Sequence, residues 1–206
     1  MIKVIMKAKK IIMTALCCFS VFCLVSCNLN DDDNSNTGLS QGEIQTAFNT
    51  VKNIHLGKLI YTPTGSNKND TLSITWDINT DSTMTIHNFP VSSLADNIRS
   101  DYSEIKTALE KEGTIDLNCN ISFYNLNPVA FHINPIYPSL DLSYGGAVHK
   151  IQIIFHHLWN SFGVYNKSNN GRLQMQLIET GFYVDQKEYH ELSSYMGFWF
   201  GIESIK

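Results

Sequence analysis

The chain has 206 residues carrying 15 Lys and Arg against 19 Asp and Glu, a formal charge of −4. Its basic residues are scattered, which excludes the clustered cationic surface that phosphate neutralisation needs and with it a nucleic-acid partner. Four of its five cysteines fall at or before residue 27, so no disulfide scaffold is available to the rest.

The first 26 residues read as a signal peptide. Lys3, Lys7, Lys9 and Lys10 form a positive start, and Ile11 to Val25 is an apolar run too short to serve as a membrane-spanning helix. The run closes on Leu24-Val25-Ser26-Cys27, which resembles a bacterial lipobox. That pattern places cleavage before Cys27 and makes its thiol the lipid attachment point. Each buried methylene of a palmitate-like chain contributes about 0.8 kcal/mol, so two or three chains hold permanently where one is marginal. Removing the leader's four lysines leaves 11 basic against 19 acidic groups, a formal charge of about −8.

Residues 27–39 read as a lipidated, flexible acidic tether, since Asn28 to Gly38 is polar and aperiodic. The triple Asp31-Asp32-Asp33 resembles the acidic export signal that carries Bacteroidetes lipoproteins to the outer face of the outer membrane. Residues 40–206, about 165 in all, suit one domain.

That domain opens on a capping box, Ser40 and Glu43, with Ile44, Phe48 and Val51 on one helical face and Asn53 or Gly57 as the stop. Leu56 to Tyr61 reads as a strand, Thr62 to Asp70 as a loop, and Leu72, Ile74, Trp76 and Ile78 alternate with polar residues as a second strand. Asn79 to Ser82 turns into a third, Thr83 to Phe89. Leu94, Ile98, Tyr102, Ile105 and Leu109 lie three or four apart and predict one or two helices within 91–112, with Asp101 as an N-cap and Gly113 as a stop. From Thr114 onward the period is two. Strands are expected over Ile115–Phe123, Val129–Ile133, Leu140–Tyr144, Val148–Phe155, Arg172–Ile178, Phe182–Val184 and Met196–Ile202.

Asn127-Pro128, Asn134-Pro135, Pro138, Gly145-Gly146 and Asn169-Asn170-Gly171 separate these strands, the last as the strongest hairpin signal. Short turns without intervening helices imply antiparallel pairing. The expected class is α+β, dominated by antiparallel sheet as a sandwich or a calycin-like barrel, a choice periodicity leaves open.

The residues from Trp76 through Phe89-Pro90-Val91 to Leu94, Gly145-Gly146 leading into His149-Lys150-Ile151, and Tyr183-Val184-Asp185 carry a resemblance. Together they resemble a Bacteroidetes lipoprotein family catalogued as domain of unknown function forty-eight-forty. The resemblance implies a single-domain secreted lipoprotein and transfers no catalytic residue. Asp70-Thr71-Leu72 and Asp81-Ser82-Thr83 resemble the O-glycosylation sequon of the same bacteria, which makes Thr71 and Ser82 candidate acceptors at turns.

His132, His149, His156 and His157 crowd the second half, and imidazole is a common metal ligand. No zinc-type spacing joins them, and a metal site would need His132, His149 and His156 to converge from neighbouring strands. No nucleophile elbow or phosphate loop is present, and Cys119 alternates with apolar residues as a buried hydrophobe. Glu179, Asp185 and Glu188 offer a carboxylate pair for glycoside hydrolysis only if two of them converge. Trp159, Phe162 and Tyr165, and then Tyr195, Phe198, Trp199 and Phe200, are aromatic clusters that serve binding if exposed and packing if buried.

These readings point to an outer-membrane lipoprotein, anchored through Cys27 and displayed on the cell surface, whose domain is a non-enzymatic binder of a protein or glycan partner. The alternative is a small-ligand or glycan binder with a calycin-like cavity, and a hydrolase ranks third. No cofactor or metal is implied.

Overall fold

A computed structural model describes residues 38–167 and 171–201. Cys27 and the leader, tether and Asp31–Asp33 calls lie outside the described residues, as do Asn169, Asn170 and Ile202.

Helix α1 (Gln41–Val51) starts at the expected capping box: Ser40 Oγ accepts from the Glu43 amide, and the Glu43 carboxylate accepts from the Ser40 amide at 2.8 Å. It ends at Val51, and Asn53 already begins β1 (Asn53–Tyr61). Then follow β2 (Asp70–Ile78), β3 (Thr83–Pro90), helix α2 (Ser103–Leu109), β4 (Thr114–Leu126), β5 (Val129–Pro135), β6 (Ser139–Tyr144), β7 (Ala147–Phe155), β8 (Phe162–Asn166), β9 (Arg172–Val184) and β10 (Glu188–Gly201). No helix among the described residues is long and apolar enough to cross a membrane.

All strand pairings are antiparallel. Strands β1 to β5 follow one another, β8 joins β5, β9 joins β8, β10 joins β9, and β10 returns to β1 through Leu59 opposite Phe200. The domain is an eight-stranded antiparallel barrel with an N-terminal helix and a second short helix. Of the two architectures the sequence allowed, the barrel is the one formed, because β10 pairs on both of its edges and leaves no seam.

The inward residues form a continuous core. Trp76, Phe89, Phe198 and Phe200 are at most 2 % exposed. Their rings meet edge-on or tilted, with Phe89 to Phe198 centroids at 5.1 Å and Trp76 to Phe200 at 6.1 Å. Four large rings from three strands, β2, β3 and β10, thus occupy the middle of the barrel. Cys119 is buried on the same face, and burial pushes its thiol well above its ordinary value, so it packs as a small hydrophobe.

Each end of the barrel meets a covering segment. At the end holding the β2–β3 turn, α1 packs on β4 and β5, buries Ala47 and Val51, and donates from Gln45 Nε2 to Asp81 at 2.6 Å. At the other end the chain leaves β3 as a 3-10 segment, Val91–Ala95, whose Val91, Ser93, Leu94 and Ala95 are at most 1 % exposed. It plugs that end. The expected stripe from Leu94 to Leu109 is therefore no single helix: it divides into this plug, a 3-10 turn at Ser100–Tyr102, and α2. Asp101 does not cap α2, because its carboxylate is taken by Arg99 at 3.0 Å, and Tyr102 precedes the helix without a side-chain cap.

The plug end carries the sheet past the barrel. Strand β9 runs on as one bent strand where two were expected, pairing with β8 over Arg172–Gln176 and with β7 over Glu179–Val184. A bulge at the junction shifts register on both its edges, and β7 is flanked in turn by β6. The ladder of β10 begins at Glu188, eight residues before the expected start. Strand β8, expected as an irregular connection, pairs on both sides and completes the barrel wall.

Candidate binding face

Beyond the plug, β6, β7, β9 and β10 make a four-stranded sheet with two unlike faces. Ile153, Phe182 and His190 stand in register across one face, and Tyr102 before α2 packs on it, its ring 5.8 Å from Phe182 and 4.4 Å from His190. Ser139, Gln152, Tyr183 and Tyr189 stand in register across the other. There Tyr183 and Tyr189 lie 5.3 Å apart, and Tyr189 is 42 % exposed.

Gly181 makes this arrangement possible. A Cβ at that position would come within 2.8 Å of the Tyr189 hydroxyl and 2.4 Å of the His190 carbonyl oxygen. The missing side chain lets the ring settle on the strand, where its hydroxyl donates to the Thr180 carbonyl at 3.4 Å.

The face continues onto the loops beside it. Tyr137, just before β6, shares a hydrogen bond with His157 Nε2. Burial, together with Tyr183 and Tyr189 nearby, pushes the Tyr137 phenol above its ordinary value, so it stays a neutral donor. Next to His157, His156 meets the edge of Tyr195 at 5.1 Å. Ile136, Leu158 and Tyr195 are each at least half exposed. Phenols, imidazoles and aliphatic tips thus share one solvent-facing surface, able to stack on a ligand and hydrogen-bond its rim.

A concave feature adjoins the opposite face. Helix α2 and the β6–β7 hairpin bound a cleft of about 520 Å³ lined by Glu104, Thr107, Lys111, Glu112, Asp141 and Tyr144. The hairpin turns on Gly145 and Gly146, both with positive φ. Behind Tyr144, His149 stacks at 4.3 Å and its Nδ1 meets Asp185 at 3.0 Å. That hydrogen bond, with the one from the Lys150 amide, holds the Asp185 carboxyl below its ordinary value.

The residues singled out in the sequence fall in separate places. His132 stacks on Tyr124, His149 stacks on Tyr144, and His156 meets the edge of Tyr195, so the three histidines that a metal site would have needed stand apart. His156 and His157 lie after β7 has ended at Phe155, not on a strand. Nor do the carboxylates pair: Glu179 is buried in the barrel, Asp185 holds His149, and Glu188 stands exposed near His190. Phe198 and Phe200 are core, Phe162, Tyr165 and Trp199 are half-buried in strands, and the ring of Trp159 lies outside the described residues. Among the described rings of that set, Tyr195 is the exposed one that belongs to the open face. Thr71 and Ser82 are both exposed. Ser82 lies in the β2–β3 turn, but Thr71 is on β2 opposite Ile60, because β2 begins two residues before the apolar alternation does.

Sequence reasoning missed Tyr137, Tyr183 and Tyr189 as a group, since they come from three segments 46 and 6 residues apart. The alternation of Tyr183 with Phe182 and Val184 was the one local sign that a ring pointed outward.

The model of the family described as domain of unknown function DUF4840 matches residues 50–184. The chain belongs to the DUF4840 family. The match runs from the last turn of α1 to the end of β9, so the DUF4840 domain as matched includes Tyr137, His157 and Tyr183, while β10 with Tyr189 and Tyr195 follows it. Neither the curated proteins nor the solved structures contain a match to this chain.

Proposed function

We propose that this DUF4840 protein is a lipoprotein anchored through Cys27 in the outer membrane and displayed on the cell surface, where its barrel acts as a non-enzymatic binding domain. The tyrosine face is the observation that carries the binding role. Three phenols and two imidazoles are held open on a sheet whose reverse side is packed, and the aromatic side chains that fill the barrel turn recognition to the outside. This favours an extended partner, protein or glycan, over a small ligand enclosed as in a calycin. The lipobox and the Asp31–Asp33 run support the address, and the exposed hydroxyls of Thr71 and Ser82 suit O-glycosylation.

Each part of this reading has its own test. Alkyne-palmitate labelling should mark the chain and be lost in Cys27→Ala. Protease shaving of intact cells should remove the domain, and intact mass should reveal added hexoses. For binding, a photo-crosslinking residue at Tyr189 should capture a partner in cells, or the purified chain should be retained on a glycan array. Tyr137→Ser combined with Tyr183→Ser should abolish either signal. Equal signal from wild type and variant in both assays would retire the binding face.

A further inference from the structure

The polar residue left over by everything above is Glu179. It continues the inward row Leu173, Met175 and Leu177 of β9, is 1 % exposed, and its Oε1 makes no hydrogen bond. It sits at the bulge where β9 leaves the barrel, next to the plug end. We infer that Glu179 is a proton-operated latch: with its proton it lets the plug stay seated, and without it the plug is expelled and the barrel opens.

The argument begins with what holds the plug. Ala95, which ends the 3-10 segment, and Asp96 and Asn97, which follow it, are tied by neutral hydrogen bonds and one lysine. Thr64 donates to the Asp96 carbonyl and to the Asn97 side chain. The Ser193 amide and hydroxyl both donate to the Asn97 carbonyl at 2.9 Å. Lys106 Nζ donates to the Ala95 carbonyl at 3.1 Å. None of these donors serves Glu179. An ionised carboxylate there would be buried without a partner, a state costing several kcal/mol in a protein interior.

The charges around it make matters worse. Asp96, on the plug segment, opposes ionisation of Glu179, and Glu179 is held well above the ordinary carboxylate range by burial first and Asp96 second. Asp96 is itself raised, by its own burial and by Asp70 on β2 and Glu110 after α2, with Lys106 alone acting the other way. Tyr61 on β1 feels Asp70 and Asp96 in the same sense. Once Glu179 ionises, the group nearest in charge is a plug carboxylate of like sign, and the simplest relief is to move the plug away and admit water. The strand that carries Glu179 and its neighbour β10 are both irregular there, β9 between Glu179 and Gly181 and β10 between Glu191 and Met196, so the ladder is interrupted at the seat.

The sign is fixed by linkage. The folded carboxyl keeps its proton above the pH at which the unfolded one loses it, so the closed state weakens as pH rises from the ordinary Glu range through the raised one.

Amide exchange on the intact chain in detergent reads the latch. After correction for intrinsic rates, protection of the Ile98 and Ser193 amides should fall by up to about tenfold per pH unit as pH rises above the ordinary Glu range and Glu179 loses its proton. The Lys52 amide at the far end, bonded to Phe48, should not follow. In Glu179→Gln the fall should vanish. In Asp96→Asn it should begin at lower pH, which keeps the test alive if the Gln variant does not fold. A wild-type profile without the fall, a fall shared equally by Lys52, or one unmoved by either substitution overturns the latch.

Discussion

Two sets of rings divide this molecule. Phe89, Phe198, Phe200 and Trp76 meet inside the barrel, and Tyr137, Tyr183, Tyr189 and Tyr195 gather on the sheet beyond the plug. Both sets sit on or beside antiparallel strands. What separates them is the second layer: the barrel wall curves until opposite strands cover one another, while beyond the plug a single sheet is covered on one side by α2 and Tyr102. Phenylalanine suits the first setting because it asks for no hydrogen bond, and tyrosine the second because its hydroxyl keeps one end wet. The contrast teaches that an aromatic strand gains its role from what lies across from it.

Substitutions should break the two sets differently. Phe198→Ala should cost about 3–5 kcal/mol in denaturant unfolding, since it leaves a cavity beside the Phe89 and Tyr61 rings, and should leave ligand retention by the remaining folded molecules unchanged. Gly181→Ala should cost about 1–3 kcal/mol, because the new methyl forces the Tyr189 ring and the His190 carbonyl apart. It should also weaken binding, linking the two measurements at one residue. Ser40→Ala, remote from both sets, should cost about 1 kcal/mol by loss of the α1 cap, read as a lower melting temperature. Tyr183→Ser should change stability by less than about 1 kcal/mol while removing most binding; a large loss of stability would make the open face part of the core.

The smallest effect belongs to His87 on the barrel's outer wall. Its Nε2 and Nδ1 each face a carboxylate at 3.2 Å, Asp77 and Asp116, so the imidazolium is the form that donates to both. The Asp77 hydrogen bond leads in raising its proton affinity. A raised folded value means stability present below the ordinary histidine range and lost as pH rises through the raised one. His87→Gln should therefore lower stability by less than about 1 kcal/mol in mild acid and by nothing measurable in mild alkali, as thermal melts across pH would show.

Much of the barrel is legible in the chain because one-sided strands write their burial as alternation. Leu72 to Ile78 and Ile115 to Phe123 lie inside observed strands, with Ile74, Trp76, Ile78, Leu117, Cys119, Ile121 and Phe123 buried as expected, while Leu72 at the start of β2 is 40 % exposed. The features that escaped are those decided by tertiary contact. Strand β8 has five residues and a glycine, Gly163, beneath the Phe131 ring, whose partner is 32 positions away in sequence. The early half of β10 reads as polar because its inward row is carried by His190, packed on Tyr102 and Phe182, while its other row faces solvent. The stripe from Leu94 to Leu109 records burial faithfully, but a plug and a short helix bury the same residues that one long helix would. The tyrosine face was invisible for a simpler reason: its tyrosines converge through pairing of β7, β9 and β10, and no local pattern encodes that register.

Where the chain enters the domain bears on how such a face is presented. Gly38 leads into α1 at the β2–β3 turn end, and Tyr183 and Tyr189 stand past the plug at the other. Under the proposed function, the domain would have its handle at one pole and its grip at the other. A load taken up by the tyrosines must travel the whole length of the barrel to reach the N-terminal segment, and β9, the strand common to both sheets, lies along that path. It would be pulled lengthwise against the ladders on its two edges, in shear, where many hydrogen bonds resist together.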